Sequence, residues 1–232
     1  GCPHRSMSEE VDLAIVGAGA AGMMAAIQAA RREPGLRILV LDGARSLGAK
    51  ILVAGGGRCN VTHFEVQASD FAGSSRYAIA KVLRELTVPA TVEFFRGIGV
   101  ELKREPTGKL FPVTNQARTV LEALLRAARE AGVKLLYPRR VAAIRHSTQG
   151  FLISGDWGEV TSRRVILAAG GQALPKSGSD GSGFALARAL GHTTTATIFP
   201  SLVPLLVPEE HWLRTVQGIA VPARIELRAG NG

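Results

Sequence analysis

Gly17, Gly19 and Gly22 follow the apolar run Val11-Asp12-Leu13-Ala14-Ile15-Val16 in GxGxxG spacing, and an acid, Asp42, stands twenty positions beyond the last of them. Each glycine has a distinct physical use. Gly17 permits a tight turn off a strand, Gly19 lacks the Cβ that would hold a diphosphate away, and Gly22 lets a helix lie close to the sheet. The amides that follow, at Ala20 and Ala21, open that helix toward the anion. A charge-assisted hydrogen bond contributes roughly 1.5–3 kcal/mol, against about 0.3–1 kcal/mol for a helix dipole acting on an exposed anion. Direct amide contact therefore dominates. Asp42, followed by Gly43, is placed to accept ribose hydroxyls and to repel a 2′-phosphate, which favours the adenosine half of FAD or NAD over that of NADP. Arg45 softens that exclusion.

Such a site needs a strand, a helix and a second strand in that order, and the pattern supplies them. The apolar run to Val16 reads as the first strand, Ala20 to Arg32 as the helix, and Arg37 to Leu41 as the second strand ending at the acid. The alternative is a βαβ unit whose glycines serve packing alone. Gly43 to Val61 reads as a loop, because Gly55-Gly56-Gly57 would each cost a helix up to about 1 kcal/mol relative to alanine. Two short helical patterns between Tyr77 and Gly99 are broken by Pro89, and Lys103 to Pro112 reads as a hairpin or a loop returning to the core. Asn115 to Ala131 is the strongest helix: Val120, Leu121, Leu124, Leu125 and Ala128 form one stripe, Thr114 or Asn115 can cap it, and Gly132 stops it. Val133 to Tyr137 follows as a buried strand. Runs at 141–145, 151–154, 160–162 and 164–168 suggest an antiparallel meander leading into a last strand that ends at Ala169-Gly170-Gly171. After a Gly/Ser/Pro-rich stretch comes a short helix from about Gly183 to Leu190, and Thr193 onward reads as opening strands broken by Pro200, Pro204, Pro208 and Pro222.

Composition excludes several classes. The 232 residues are 46% hydrophobic and 20% charged, an ordinary globular balance. No stretch approaches a membrane span and no secretory signal opens the chain, so a cytoplasmic setting and no membrane partner are expected. The two cysteines, Cys2 and Cys59, make a disulfide framework improbable. No His/Cys/Asp spacing matches a metal site, so no metal is expected, and neither GxSxG nor GxxxxGK[ST] occurs. Net charge is +9, but the 22 Arg and 6 Lys are scattered and aromatics form only 5% of the chain. Stacking platforms for single strands are few, and no nucleic-acid partner is expected. His192 follows Gly191 and reads as a helix C-terminal dipole partner rather than a base.

The ordered set GAGAAG at 17–22, AGGGRCNVT at 54–62, LFPVTNQA at 110–117, LAAGG at 167–171, GSDGSGFALARALGH at 178–192 and PSLVPL at 200–205 resembles the bacterial BaiN-type NAD(P)/FAD-dependent oxidoreductases, a family that includes aminoacetone oxidase. The resemblance runs from about Val11 to Leu227. It implies FAD as cofactor, with the glycine fingerprint on the diphosphate, Asp42 on the ribose, and Lys50, Gly56, Gly57, Arg58, Cys59 and Asn60 along the cofactor near the flavin. It also implies main-chain contact with adenine from the strand beginning at Val141, and closure over the cofactor by Ala169, Gly170 and Gly171. His63 stands where relatives often carry Asn. Family members continue past this point with a C-terminal segment, which this chain is expected to lack.

Glycines in the Gly55–Gly57 loop let amides approach a flat ring system, and Arg58 or Lys50 can stabilise charge developing at a reduced flavin. Cys59 as a thiolate would need a lowered pKa, and no CxxC partner exists, so packing or cofactor contact is the favoured role. The expectation is an α/β protein with three parts. Residues 1–10 form a leader or tag, 11–192 a doubly wound Rossmann-like FAD-binding domain with a β meander, and 193–232 the start of a second, β-rich lobe. Its activity is that of a flavoprotein oxidoreductase passing a hydride between a small organic substrate or NAD(P)H and flavin. A nicotinamide-only dehydrogenase and a non-catalytic flavin- or nucleic-acid-binding module are the alternatives. No residue is assigned as catalytic acid or base, and the oligomeric state is left open.

Overall fold

The computed structural model describes residues 9–73, 75–173, 175–200, 207–216, 224 and 226. Strand β1 (Glu9–Val16) leads through Gly17–Gly19 into α1 (Ala20–Arg32), and β2 (Ile38–Leu41) pairs parallel to β1 with Leu13 opposite Ile38 and Val16 opposite Leu41. Burial on both faces accounts for the unbroken apolar sequence of β2, Ile38-Leu39-Val40-Leu41, all of it buried.

Helix α2 (Ala49–Gly57) occupies part of the stretch expected to be loop. Ala49 to Val53 are good enough helix formers to make a turn, and the chain then departs at Ala54 (ψ 138°), Gly55 (φ 57°) and Gly56 (φ 68°). The glycines thus end a helix that starts before them. Strand β3 (Thr62–His63), β4 (Leu102–Arg104) and β5 (Lys109–Pro112) form a small antiparallel sheet, so the expected hairpin gains a third strand. Between them lie α3 (Arg76–Glu85) and α4 (Val88–Gly97); Thr87 caps α4 and Pro89 sits in its first turn, where a missing N–H is harmless.

Helix α5 (Ala117–Glu130) buries Val120, Leu121 and Leu124 among its apolar stripe. Fully burying each contributes roughly 1.5–3 kcal/mol. Its N-cap is Gln116, one residue past Asn115 and two past Thr114, and Thr114 Oγ1 instead bonds Thr119 Oγ1 at 2.8 Å. Strand β6 (Lys134–Leu136) then pairs with β2. Strands β7 (Ala143–Ser147), β8 (Gly150–Gly155) and β9 (Gly158–Leu167) make the antiparallel meander, and β9 returns parallel to β1. The two runs at 160–162 and 164–168 are one ten-residue strand. Ser162, which closes the first run, is fully buried and satisfied by donating to Arg164 O at 2.7 Å. Helix α6 (Ser182–Ala189) follows.

The six-stranded sheet runs β6-β2-β1-β9-β8-β7. On one face Leu13, Ile15, Ile38 and Val40 pack with Met23 and Ile27 of α1 and the α5 stripe. On the other, Val16, Leu39 and Leu41 pack with Val141, Ile144 and Ile153 of the meander region and Leu186 of α6. The chain divides into two compact units, Gly1–Pro200 and Ser201–Gly232. In the second, Trp212–Val216 form a short 3-10 turn. Most of the strands expected beyond Thr193, and all but two residues of the expected leader, lie outside the described residues. No helix among the described residues is long and apolar enough to cross a membrane.

Candidate functional site

From β1 the chain passes outward to β2 and β6 on one side, then crosses to β7 at the far edge and returns through β8 to β9 beside β1. The order therefore reverses between β1 and β9, and open α/β sheets bind ligands outside the carboxyl ends of their strands at such a point. A cleft of about 730 Å³ lies there, reached by Val16, Leu41 and Ala168 at or just past the ends of β1, β2 and β9. That size falls within the usual range for cofactor sites, roughly 300–1,000 Å³.

The fingerprint glycines divide by what a side chain would meet. Gly17 has φ 106°, and a Cβ on it would lie 2.4 Å from Ala168 O. On Gly22 a Cβ would lie 1.8 Å from Gly17 O. These two are glycine because the turn, the helix and β9 touch there. A Cβ on Gly19 would meet nothing within 4 Å, and its φ of −74° is open to any residue. Its bare backbone faces the cleft, which is the cradle a dinucleotide backbone requires.

Asp42 fastens this turn. Its carboxylate accepts from Ala18 N at 2.7 Å and from Ala44 N at 2.8 Å, joining the glycine turn to the loop after β2. It remains part of the cleft lining. Also in the lining, Lys50 Nζ donates to Ser179 Oγ at 3.1 Å, and Arg140 pairs with Asp180. Asp180 titrates at about 2: partial burial opposes ionisation, but hydrogen bonds from Ser182 and Arg140 outweigh it.

Of the residues singled out by sequence, Gly17, Gly19, Ala20, Ala21, Asp42, Gly43, Lys50, Cys59, Asn60, Val141, Ala169 and Gly170 are brought together in the lining. Gly22, Gly56, Gly57, Arg58 and Gly171 are not. Gly22 is spent on packing, and Gly171 O accepts from Gly181 N at 3.0 Å. Arg58 pairs with Glu105 and lies 4.0 Å from the centre of the Phe111 ring, so it braces α2 against β5 and the turn after β4. Cys59 is buried with φ 62°, and burial pushes its thiol pKa up, against the thiolate form. The contributions sequence reasoning missed come from Arg140, Ser177, Gly178, Ser179 and Ser182. For Gly178, Ser179 and Ser182 the signal was the GSDGSG segment, which counted toward the family resemblance and FAD but was assigned no site residue; Arg140 and Ser177 lie outside it. Among the described residues no group of three His, Cys, Asp or Glu could hold a metal ion.

A parallel βαβ unit with a glycine turn, a cleft at the sheet's switch point and an acid at the end of β2 define a Rossmann-type nucleotide-binding domain. The profile of the HI0933-like protein Rossmann domain matches residues 11–224, and the chain belongs to that family. It is 38% identical over 218 residues to the 3-dehydro-bile acid delta(4,6)-reductase of Clostridium scindens, covering 94% of this chain and 53% of the relative. It is 27% identical over 224 residues to the ribosomal RNA dihydrouridine synthase of Escherichia coli, covering 96% of this chain and 55% of the relative. The chain thus spans about half the length of these curated relatives. Among solved structures, the 3-ketosteroid-delta4-(5alpha)-dehydrogenase of Rhodococcus jostii RHA1 shares the fold, with a TM-score of 0.57 at 20% identity over 79% of this chain and 54% of that one.

Proposed function

We propose that this chain is the FAD-binding part of a flavin-dependent oxidoreductase that passes a hydride between a small organic substrate or NAD(P)H and the flavin. The observation that carries the reading is the cleft at the β1/β9 switch point, lined by the bare backbone of Gly19 and by Lys50. FAD, when bound, supplies reversible hydride transfer. This chain's residues do the holding. Amides of the glycine turn face the diphosphate, Asp42 keeps that turn in shape and borders the ribose position, and Lys50 contributes positive charge. Val141, Ala169 and Gly170 complete the walls. Cys59 packs, consistent with its raised pKa.

The names of the relatives narrow the substrate. A bile acid delta(4,6)-reductase and a dihydrouridine synthase both saturate a carbon–carbon double bond conjugated to a carbonyl, and we extend that class to the whole protein of which this domain is part. A second reading, favoured by the name of the Escherichia coli relative, has that double bond in a uracil base of RNA.

A visible absorption spectrum of the protein purified or reconstituted with FAD tests the cofactor. Bands of oxidised flavin that bleach anaerobically with NADH or NADPH are expected. A colourless protein that takes up NAD and refuses FAD establishes the nicotinamide-only alternative instead. Turnover of a steroid dienone against that of uridine-containing RNA separates the two substrate readings.

A further inference from the structure

Lys50 and Ser179 are 129 residues apart in sequence, yet they meet at the cleft. Ser179 is only 3% exposed, and its hydroxyl accepts from the ammonium. Gly170 explains itself through the same contact: its φ is 78°, and a Cβ there would lie 2.8 Å from Ser179 Oγ. The turn after β9 is glycine at that place so that Ser179 can reach Lys50. Three separate segments, the start of α2, the turn after β9 and the loop before α6, are thus fitted around one lysine head.

The fit leaves the charge whole. Arg140 in the same cleft is paired with Asp180, and Arg58 is paired with Glu105 outside it. Among the described residues Lys50 pairs with no carboxylate. A hydroxyl orients an ammonium without neutralising it, and an ammonium has three donors, so two remain for other acceptors. A free lysine side chain has many rotamers to lose on binding. Fixing its head beforehand removes part of that loss from the binding step.

We propose that Ser179 is a positioning residue that holds the Lys50 ammonium for the diphosphate of the bound dinucleotide. The inference rests on the dinucleotide reading above and adds to it which cation meets the phosphates and what aims it.

Titration of the chain with ADP and with adenosine tests it, because the two ligands differ only in the diphosphate. For K50M, ADP affinity falls at least tenfold while adenosine affinity stays within twofold of wild type. For S179A, ADP affinity falls about threefold to tenfold with adenosine again unchanged. The double variant K50M/S179A binds ADP no more weakly than K50M, since Ser179 acts through Lys50. K50M alters an exposed side chain and carries the expectation by itself should S179A fail to fold. Equal losses for ADP and adenosine, additive losses in the double variant, or ADP binding by K50M equal to wild type would each overturn the assignment. A wild-type chain that binds neither ADP nor FAD overturns the dinucleotide reading along with it, whereas a wild type that binds both beside an unaffected K50M removes only the role of Lys50 and Ser179.

Discussion

Replacing Gly19 and Gly22 separately by alanine splits the fingerprint into a binding half and a folding half. In Gly22→Ala the new methyl carbon would lie 1.8 Å from Gly17 O, a backbone atom held by the turn after β1. Overpacking of that kind costs about 1–3 kcal/mol, and the bare backbone leaves no rotamer to relieve it. Gain in helix propensity returns only about 0.5–1 kcal/mol. Taking the upper end of both ranges, as a 1.8 Å approach to backbone warrants, the net loss is about 2 kcal/mol, which lowers Tm by about 4–8 °C for a domain of this size. In Gly19→Ala the methyl meets no protein atom within 4 Å at a φ of −74°. Reduced unfolded-state entropy favours that variant by about 0.4–1 kcal/mol, and the poorer N-cap offsets it by a similar amount. Its Tm should therefore stay within about 2 °C of wild type. Cofactor affinity moves the other way: displacing the diphosphate from its amide donors forfeits about 1.5–3 kcal/mol, or roughly a tenfold to 150-fold rise in Kd for FAD. Thermal melts of the cofactor-free proteins and fluorescence titrations with FAD give both numbers. A Gly19→Ala protein that binds FAD like wild type, or a Gly22→Ala protein that melts like wild type, refutes the division.

Asp42→Asn replaces one of two acceptors with a donor facing Ala18 N or Ala44 N, so stability should fall by about 1–3 kcal/mol even without cofactor; an unchanged chemical-denaturation midpoint would contradict this. Asp180 titrates at about 2, below the ordinary 3.8, so its contribution to stability is present above about pH 4 and is lost as pH falls from 4 to 2. Asp180→Asn should flatten the dependence of Tm on pH across that window, and an unaltered slope would count against the pairing with Arg140 and Ser182. Cys59, with its pKa raised by burial, should resist iodoacetamide at pH 7.5 in the native protein and react on unfolding, as read by mass mapping of its peptide, which separates it from Cys2. Arg58→Met should lower Tm by a few degrees through loss of the Glu105 and Phe111 contacts while leaving FAD affinity within about twofold, the reverse of what an arginine touching the flavin would do.

Legibility in this chain tracks how local the determining forces are. β1, α1 and β2 could be read residue by residue because continuous apolar runs, a glycine turn and a closing acid are all set within a few positions of one another. The start of α2 could not, because five helix formers before Gly55 are too few to stand out from a glycine-rich stretch, and a single turn of helix depends on what it packs against. The unbroken length of β9 was hidden by Ser162 and the arginine pair beside it, a polar interruption that becomes acceptable only once the hydroxyl finds Arg164 O.

The candidate site divides along the same line. Gly17, Gly19 and Asp42 announce themselves through spacing within one βαβ unit, whereas Lys50 and Arg58 look equivalent in sequence: two cations flanking the same glycine loop. What separates them is tertiary. Arg58 has a carboxylate and an aromatic face waiting on the small sheet, and Lys50 has a hydroxyl contributed from 129 residues away. A planar guanidinium suits the first environment, where it can pair and stack at once, and a compact ammonium suits the second, where a free charge must face a ligand. The two side chains differ in chemistry in the way their destinations differ. Exchanging them, Lys50→Arg with Arg58→Lys, should therefore impair both the brace and the cleft while conserving every formal charge.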